Sequence, residues 1–238
     1  MEEMGIEELV DEQFETHGNW EGASLGRVIK VWFSHILSEG DHRLSYVEQW
    51  VKDRQMTLAT SLGEEVRAIE YSDDRLADVL RLLSDNDKWS EFERCLTGRL
   101  VRVYDLKPQQ VRLDATTVSG HWQVTENGLF QYGHSKDHRP DLPQLKVMMA
   151  TLDNLGLPAA TLVVDGSRAD DPLYQPAIEA VRDSLDQQGL LYVGDSKMAA
   201  LSLRYFIEAG HDYYLCHTAP TTIADNCATR LSGSRLAG

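Results

Sequence analysis

Two aspartates in the second half of the sequence stand where carboxylates could do chemistry. Asp114 lies within the alternating run Val111–Val118, and its small and hydroxylated neighbours leave room for a ligand. Asp195 follows the short apolar run Leu190–Val193, and ligands of α/β sheets bind where strands end. Such a pair of carboxylates suits Mg²⁺ or Mn²⁺, which prefer oxygen ligands, and two such ions could promote phosphoryl transfer.

Each of these aspartates also has a purely structural interpretation. Asp114 could face solvent on the open side of its strand, and Asp195 could cap the helix that follows it. The two residues alone do not decide between a site and these ordinary roles.

Composition narrows the class of protein. The chain has 238 residues, of which 42% are apolar, enough for one large domain or two small ones. No apolar run approaches the roughly 20 residues that span a bilayer, and the start of the chain is acidic, so we expect a soluble, cytoplasmic protein. A net charge of −15 argues against a protein that coats nucleic acid generally, although a local basic patch stays possible.

The first hundred or so residues predict a helical bundle. Ser24 is a candidate N-cap, apolar residues then recur with helical spacing, and Gly40 ends the run. Helical patterns recur from Asp41 onward, after Asp73 and after Asp87, which we expect to cap its helix.

From Val101 the period changes from helical to alternating, which places a domain boundary near Pro108. The predicted domains are a helical domain at 1–108, a sheet domain at 109–217 and a loose tail at 218–238. The predicted elements of the sheet domain are strands Val111–Val118, Leu145–Leu152, Ala159–Asp165, Leu190–Val193 and Tyr213–Cys216, and helices from Pro172 to Gly189 and from Met198 to Ala209. This order predicts an α+β fold with a mixed sheet flanked by helices.

That order, with one aspartate in the first strand and another after the fourth, is typical of an RNase H-like domain. The chain resembles bacterial insertion-sequence transposases of the DDE superfamily, in the branch with a helical N-terminal domain. The motifs that carry the resemblance are Glu39–Leu44, Ser72–Leu76, Arg112–Asp114, Gly133–Asp141, Asp170–Tyr174 and Tyr192–Ala200. The resemblance as a whole extends from about residue 7 to His217, and agreement over so many separate motifs is specific.

The resemblance implies that Asp114 and Asp195 are the first two catalytic acids and ligands of Mg²⁺ or Mn²⁺. It also implies double-stranded DNA as partner, at the transposon ends and in the target, and a homo-oligomer for the full-length enzyme. The family's third acid, a Glu in a Tyr…Arg…Glu…Lys pattern, has no counterpart here, since only Asp225 follows Asp212. The chain is therefore expected to be a truncated or frameshifted transposase with little or no activity.

Four further side chains are candidates for contact with DNA phosphates beside the acids. Lys136, His138 and Arg139 lie in the polar segment after the first strand, and the alternative for them is a solvated turn. Lys197 follows the second acid, and its alternative is an ordinary lysine at a helix start. Asp170 and Asp171 are interpreted as turn and capping residues, and the alternative is that one residue of this segment lines the site.

Two other functions compete with transposition. A chain without the third acid could be a non-catalytic remnant, or an inhibitor that binds transposon ends or the full-length enzyme. A haloacid-dehalogenase phosphatase is disfavoured, because that chemistry needs a second Asp two residues after the nucleophile, where this sequence has Thr116.

Overall fold

The structure, a computed structural model, describes residues 3–136, 138–153 and 155–217. The predicted tail, with Asp225 and Cys227, lies outside these residues. The chain divides into two compact units, the first ending at Tyr104 and the second beginning at Asp105. Among the described residues, no helix is both long enough and apolar enough to cross a membrane.

The first unit is all helical, as the sequence predicts. Its helices are α1 (Ile6–Gln13), α2 (Leu25–Glu39), α3 (Val47–Leu62), α4 (Asp73–Leu83) and α5 (Asn86–Val103). The predicted limits of α2 are confirmed, since Ser24 accepts a hydrogen bond from the backbone N–H of Arg27 and Gly40 ends the helix with a φ of 63°.

Two details of this unit differ from prediction. The cap of α5 is Asp85, whose carboxylate accepts from the backbone N–H of Lys88, whereas Asp87 lies inside the first turn. Both acids favour the positive end of the helix dipole, so the sequence alone does not distinguish them. The helical spacing after Asp73 predicts that Leu80 faces inward with Leu76 and Val79, but Leu80 is 45% exposed, whereas the other two are fully buried.

The core of the first unit joins its five helices. Trp32 and Trp50 are buried in this core, and His35 is buried edge-on against Trp50 with 5.5 Å between ring centroids. The members of this core include Leu9, Phe14, Val28, Val47, Val51, Tyr71, Leu76, Val79 and Phe92.

The second unit contains a five-stranded mixed sheet. Its strands are β1 (Gln110–Ser119), β2 (Gln144–Leu152), β3 (Leu157–Asp165), β4 (Leu191–Gly194) and β5 (Tyr213–Cys216), in the spatial order β3-β2-β1-β4-β5. β2 is antiparallel to both β1 and β3, whereas β1, β4 and β5 are parallel. The α+β class and this mixed sheet are as predicted, with the strand order of an RNase H-like fold.

Two helices connect the parallel strands. They are α6 (Tyr174–Leu185), which packs against β2 and β3, and α7 (Leu201–Ala209), which packs against β5. Pro172 lies in a short 3-10 turn before α6, where its missing N–H is harmless. The helix ends before the predicted limit at Gly189, because Asp186 already adopts the left-handed conformation, with a φ of 46°.

The buried and exposed sides of β1 alternate along the whole strand. Val111, Leu113 and Ala115 are buried, whereas Asp114 and the residues two positions away on either side are exposed. Since successive side chains of a strand point to opposite faces, the sheet presents Asp114 on one face and builds its core on the other.

Candidate active site at the carboxyl end of β4

Asp114 and Asp195 come together through the pairing of β1 with β4. The parallel register aligns Arg112 with Val193. Asp114 lies two residues after Arg112, and Asp195 lies two residues after Val193, so the two acids occupy equivalent positions along neighbouring strands. Neighbouring strands lie about 4.8 Å apart, and residues two apart share a face. The sheet therefore brings the two predicted acids to the same level, at the point where β4 ends.

A crevice opens beside β1 beyond this level. β4 stops at Gly194, one residue beyond the last aligned pair, Arg112 and Val193, whereas β1 continues to Ser119. From Asp114 onward, β1 has a strand partner only on its β2 side within the described residues. Such a crevice at the carboxyl ends of parallel strands is where α/β sheets bind ligands.

Lys136 extends its side chain into this crevice. Its ammonium donates a hydrogen bond to the carbonyl oxygen of Ala115, which faces the side that β4 has left. The same nitrogen lies 3.8 Å from Oδ1 of Asp114 and 4.0 Å from Oδ2 of Asp170. The predicted candidates Asp114 and Lys136 therefore belong to one site, and the ammonium offers a positive charge beside the first acid.

Asp195 is held far more firmly than Asp114. Its Oδ1 accepts a hydrogen bond from the hydroxyl of Tyr174 at 2.7 Å and another from the backbone N–H of Lys197 at 2.8 Å. The side chain of Asp114 is 83% exposed, with Lys136 as its charged neighbour. Asp114 is thus exposed to solvent and Asp195 caps the turn that follows it, as their purely structural interpretations expect. The contacts with Lys136 and Tyr174 go beyond these two roles.

Tyr174 is a site residue that was not predicted from the sequence. It is the first residue of α6 and is 1% exposed, so its hydroxyl reaches Asp195 from inside the protein. Burial raises the pKa of Tyr174, and the hydrogen bond to Asp195 and the charges of Asp195, Asp114 and Asp170 raise it further. The phenol therefore stays protonated and acts as a hydrogen-bond donor.

Asp170 and Lys146 form a second buried part of the site. Lys146 Nζ lies 2.7 Å from Oδ1 of Asp170, and their side chains are 6% and 15% exposed. Asp170 was interpreted as a turn residue, and Lys146 was not singled out. The missed signal is the alternation of β2, because Lys146 lies on the same buried face as Met148, Ala150 and Leu152.

The other predicted DNA contacts are placed less favourably. Arg139 forms a bidentate ion pair with Asp141, at 2.9 and 2.8 Å, and His138 is an exposed residue of a turn with a φ of 56°. Lys197 lies 3.5 Å from Asp171 and follows Asp195 directly. Within the described residues, Lys136 is the one candidate of the four whose side chain contacts a predicted acid, Asp114.

The charges of the site fit an anionic substrate and a hard cation together. Asp114 and Asp195 supply exposed carboxylate oxygens, and Lys136 and Lys197 supply ammonium groups near them. Among the described residues, however, no group of three or more His, Cys, Asp or Glu side chains is arranged to hold a metal ion. A cation bound here would rely on two protein carboxylates, with water and substrate oxygens completing its shell.

Comparisons with known proteins found similarity only to solved structures. Neither a protein-family model nor a curated protein sequence matches the chain. A piggyBac transposase synaptic complex with hairpin DNA aligns with a TM-score of 0.41 and 12% identity, over 92% of this chain and 49% of that chain. The present chain thus spans about half the length of that transposase.

Two Mos1 structures align less well. The Mos1 transposase paired-end complex with left transposon end has a TM-score of 0.34 and 12% identity, over 91% of this chain and 77% of that chain. The Mos1 mariner paired-end complex with Mn has a TM-score of 0.33 and 14% identity, over 89% and 72%. TM-scores this low carry no conclusion about the present chain.

Proposed function

We propose that this protein is a DNA transposase of the DDE superfamily, which cleaves DNA at the ends of an insertion sequence and joins those ends to target DNA. One observation carries the proposal: the pairing of β1 with β4 sets Asp114 and Asp195 at the same level beside the crevice where β4 ends. The motifs identified in the sequence converge on this crevice, since Lys136, Asp170 and Tyr174 all contribute to it.

Asp114 and Asp195 would hold the Mg²⁺ or Mn²⁺ ion. Their donor set fits such an ion, because both are exposed carboxylates and Asp195 Oδ2 has no hydrogen-bond partner within the described part of the chain. A bound divalent ion would supply Lewis-acid stabilisation of charge on the phosphate and its leaving oxygen. Lys136 would contact a phosphate oxygen, since its ammonium lies between the acids of the crevice and is partly exposed.

The two acids alone imply weak metal binding, and therefore little activity for the chain as given. Proteins that bind Mg²⁺ through one or two carboxylates depend on substrate phosphates to complete the shell. Within the described residues, no set of three or more His, Cys, Asp or Glu side chains is arranged to hold a metal ion, which also favours a second candidate function. In that case the protein binds transposon ends or the full-length transposase without catalysis.

A strand-transfer assay tests the proposal. The chain extended through a helix that carries the third Glu is incubated with DNA from the element ends and a target plasmid in Mg²⁺ or Mn²⁺. We expect nicking and joining, which Asp114→Asn and Asp195→Asn each abolish. Glu179→Gln, an exposed acid on α6 that contacts Gln175, is the matched control and should remain active.

Two outcomes would reject catalysis by this site. The first is an extended chain that neither nicks nor joins end DNA, and the second is full activity in either asparagine variant. Co-expression separates the second candidate, because a chain that interferes must lower transposition by an intact enzyme. Unchanged transposition would leave no inhibitory role.

A further inference from the structure

We infer that Tyr174 is a positioning residue, whose hydroxyl orients the Asp195 carboxylate so that one oxygen stays available for a divalent cation. This inference deepens the proposed function and rests on it. The contact itself is a short hydrogen bond of 2.7 Å between the phenol oxygen and Asp195 Oδ1, with the donor side chain buried.

The start of α6 fixes where the phenol lies. The 3-10 turn Asp171–Leu173 leads directly into the helix, and the N–H of Leu173 bonds to the carbonyl oxygen of Asp170 at 2.9 Å. Tyr174 therefore projects from the first residue of a helix that is anchored on the sheet through Ala177, Ile178 and Val181, all fully buried. The ring has little freedom to move away from the end of β4.

Gly194 allows the ring to come this close. A Cβ at position 194 would lie 3.2 Å from Cε1 of Tyr174 and 3.0 Å from Sδ of Met198. Both distances are tighter than ordinary van der Waals contacts, so any side chain here would press against the tyrosine ring. The Gly-Asp sequence at the end of β4 thus combines the acid with the space that its hydrogen-bond donor needs.

Two donors act on the same oxygen of Asp195. Oδ1 accepts from the Tyr174 hydroxyl and from the N–H of Lys197, which leaves Oδ2 without a partner in the described part of the chain. Two hydrogen bonds from fixed groups select one orientation of the carboxylate. Asp114 has no comparable support, since its side chain is 83% exposed. Of the two acids, Asp195 is therefore the one whose orientation is fixed, and Tyr174 is one of the two groups that fix it.

Groups that orient metal ligands are known to matter for affinity, and their loss commonly weakens metal binding about 10–100-fold. Replacing Tyr174 by Phe removes one oxygen while it keeps the ring against Gly194. The backbone N–H of Lys197 alone would then hold Asp195, and the carboxylate would rotate. We expect Tyr174→Phe to weaken Mn²⁺ binding by about tenfold.

The experiment measures Mn²⁺ binding to the 238-residue chain by the electron paramagnetic resonance signal of free Mn²⁺, in the millimolar range and without DNA. Tyr192→Phe is the matched control, because Tyr192 is a fully buried tyrosine of β4 whose hydroxyl bonds to neither Asp114 nor Asp195 within the described residues. Asp195→Asn reports whether the ion uses this site at all. Thermal unfolding of each variant shows that it is folded.

The inference stands if Tyr174→Phe loses about tenfold in affinity while Tyr192→Phe binds like the unmodified chain. It is overturned if Tyr174→Phe binds normally, or if both phenylalanine variants weaken binding equally. Loss of binding in Asp195→Asn together with normal binding in Tyr174→Phe rejects the positioning role alone. Equal binding by Asp195→Asn and the unmodified chain rejects the metal site, and the inference falls with it.

Discussion

Lys146 and Asp170 form an ion pair of 2.7 Å that is almost entirely removed from solvent, with side chains 6% and 15% exposed. The pair joins β2 to the turn that precedes α6, and so it links the sheet to the helix that carries Tyr174. A buried charge that keeps its partner is tolerated, whereas one that loses its partner destabilises the fold strongly.

Lys146→Met should therefore destabilise the protein. The methionine fills similar space but leaves the Asp170 carboxylate buried without Lys146, and we expect a loss of about 3 kcal/mol in the free energy of unfolding. Urea denaturation followed by circular dichroism measures it. Lys107→Met is the control, because Lys107 is 81% exposed and its contact with Asp105 is 3.9 Å long. Equal denaturation midpoints for the two variants would show that the buried pair contributes nothing.

The same pair predicts a dependence of stability on pH. Burial acts to raise the pKa of Asp170, but the hydrogen bond from Lys146 and the charges of Lys146, Lys136 and Lys197 outweigh it and hold the pKa below its usual value. A carboxyl whose pKa is lower in the folded state stabilises the fold above its unfolded pKa of about 3.9. That contribution is lost as the pH falls through the folded pKa.

Stability should thus fall below about pH 4, and less steeply in Asp170→Asn than in the unmodified chain. Unfolding free energies at a series of pH values from neutral to acidic test this. An asparagine variant whose stability declines in parallel with the unmodified chain over the acidic window would contradict the assignment.

Gly26→Ala should destabilise the first unit, although alanine normally favours a helix. A Cβ on Gly26, in α2, would lie 2.2 Å from the carbonyl oxygen of Glu7, in α1. Forcing the two helices apart is expected to lower stability by about 1–3 kcal/mol. Ser34→Ala, at an exposed position of α2, serves as the control and should change stability little. A more stable Gly26→Ala variant would mean that helix propensity outweighs this contact.

Lys136→Met should weaken DNA binding without regard to sequence. A lysine that contacts a phosphate contributes about one unit to the slope of log affinity against log salt. Arg139→Met should have a smaller effect, because Asp141 already pairs with that guanidinium. Fluorescence anisotropy with labelled duplexes at several salt concentrations measures both slopes. A larger loss of slope in the arginine variant would reverse the assignment of the two residues.

Periodicity was sufficient to predict most of the elements. The alternation of β1 and the helical spacing of α2 reflect faces that are buried, so both were placed within one or two residues of their observed limits. Helix ends were less predictable, as the caps Asp85 and Asp186 show, because neighbouring residues are chemically as suitable for those positions.

The site was predicted only in part, for a physical reason. Asp114 and Asp195 could be found because carboxylates in or after strands are unusual, whereas the role of Tyr174 depends on where α6 lies against the sheet. A tyrosine at the start of a helix has no local signal that distinguishes a core residue from a hydrogen-bond donor to a distant acid. The contact exists only once residues 174 and 195 are folded together.

The unequal lengths of β1 and β4 have a consequence for solubility. Beyond Arg112, β1 has no aligned partner in β4 and becomes an edge strand on that side within the described residues, and an unpaired edge is a template for strand addition by another chain. Lys136 donates to the carbonyl oxygen of Ala115 on this edge and places a charge beside it, which opposes an incoming strand. The lysine at the centre of the crevice thus also protects the molecule against edge-to-edge aggregation.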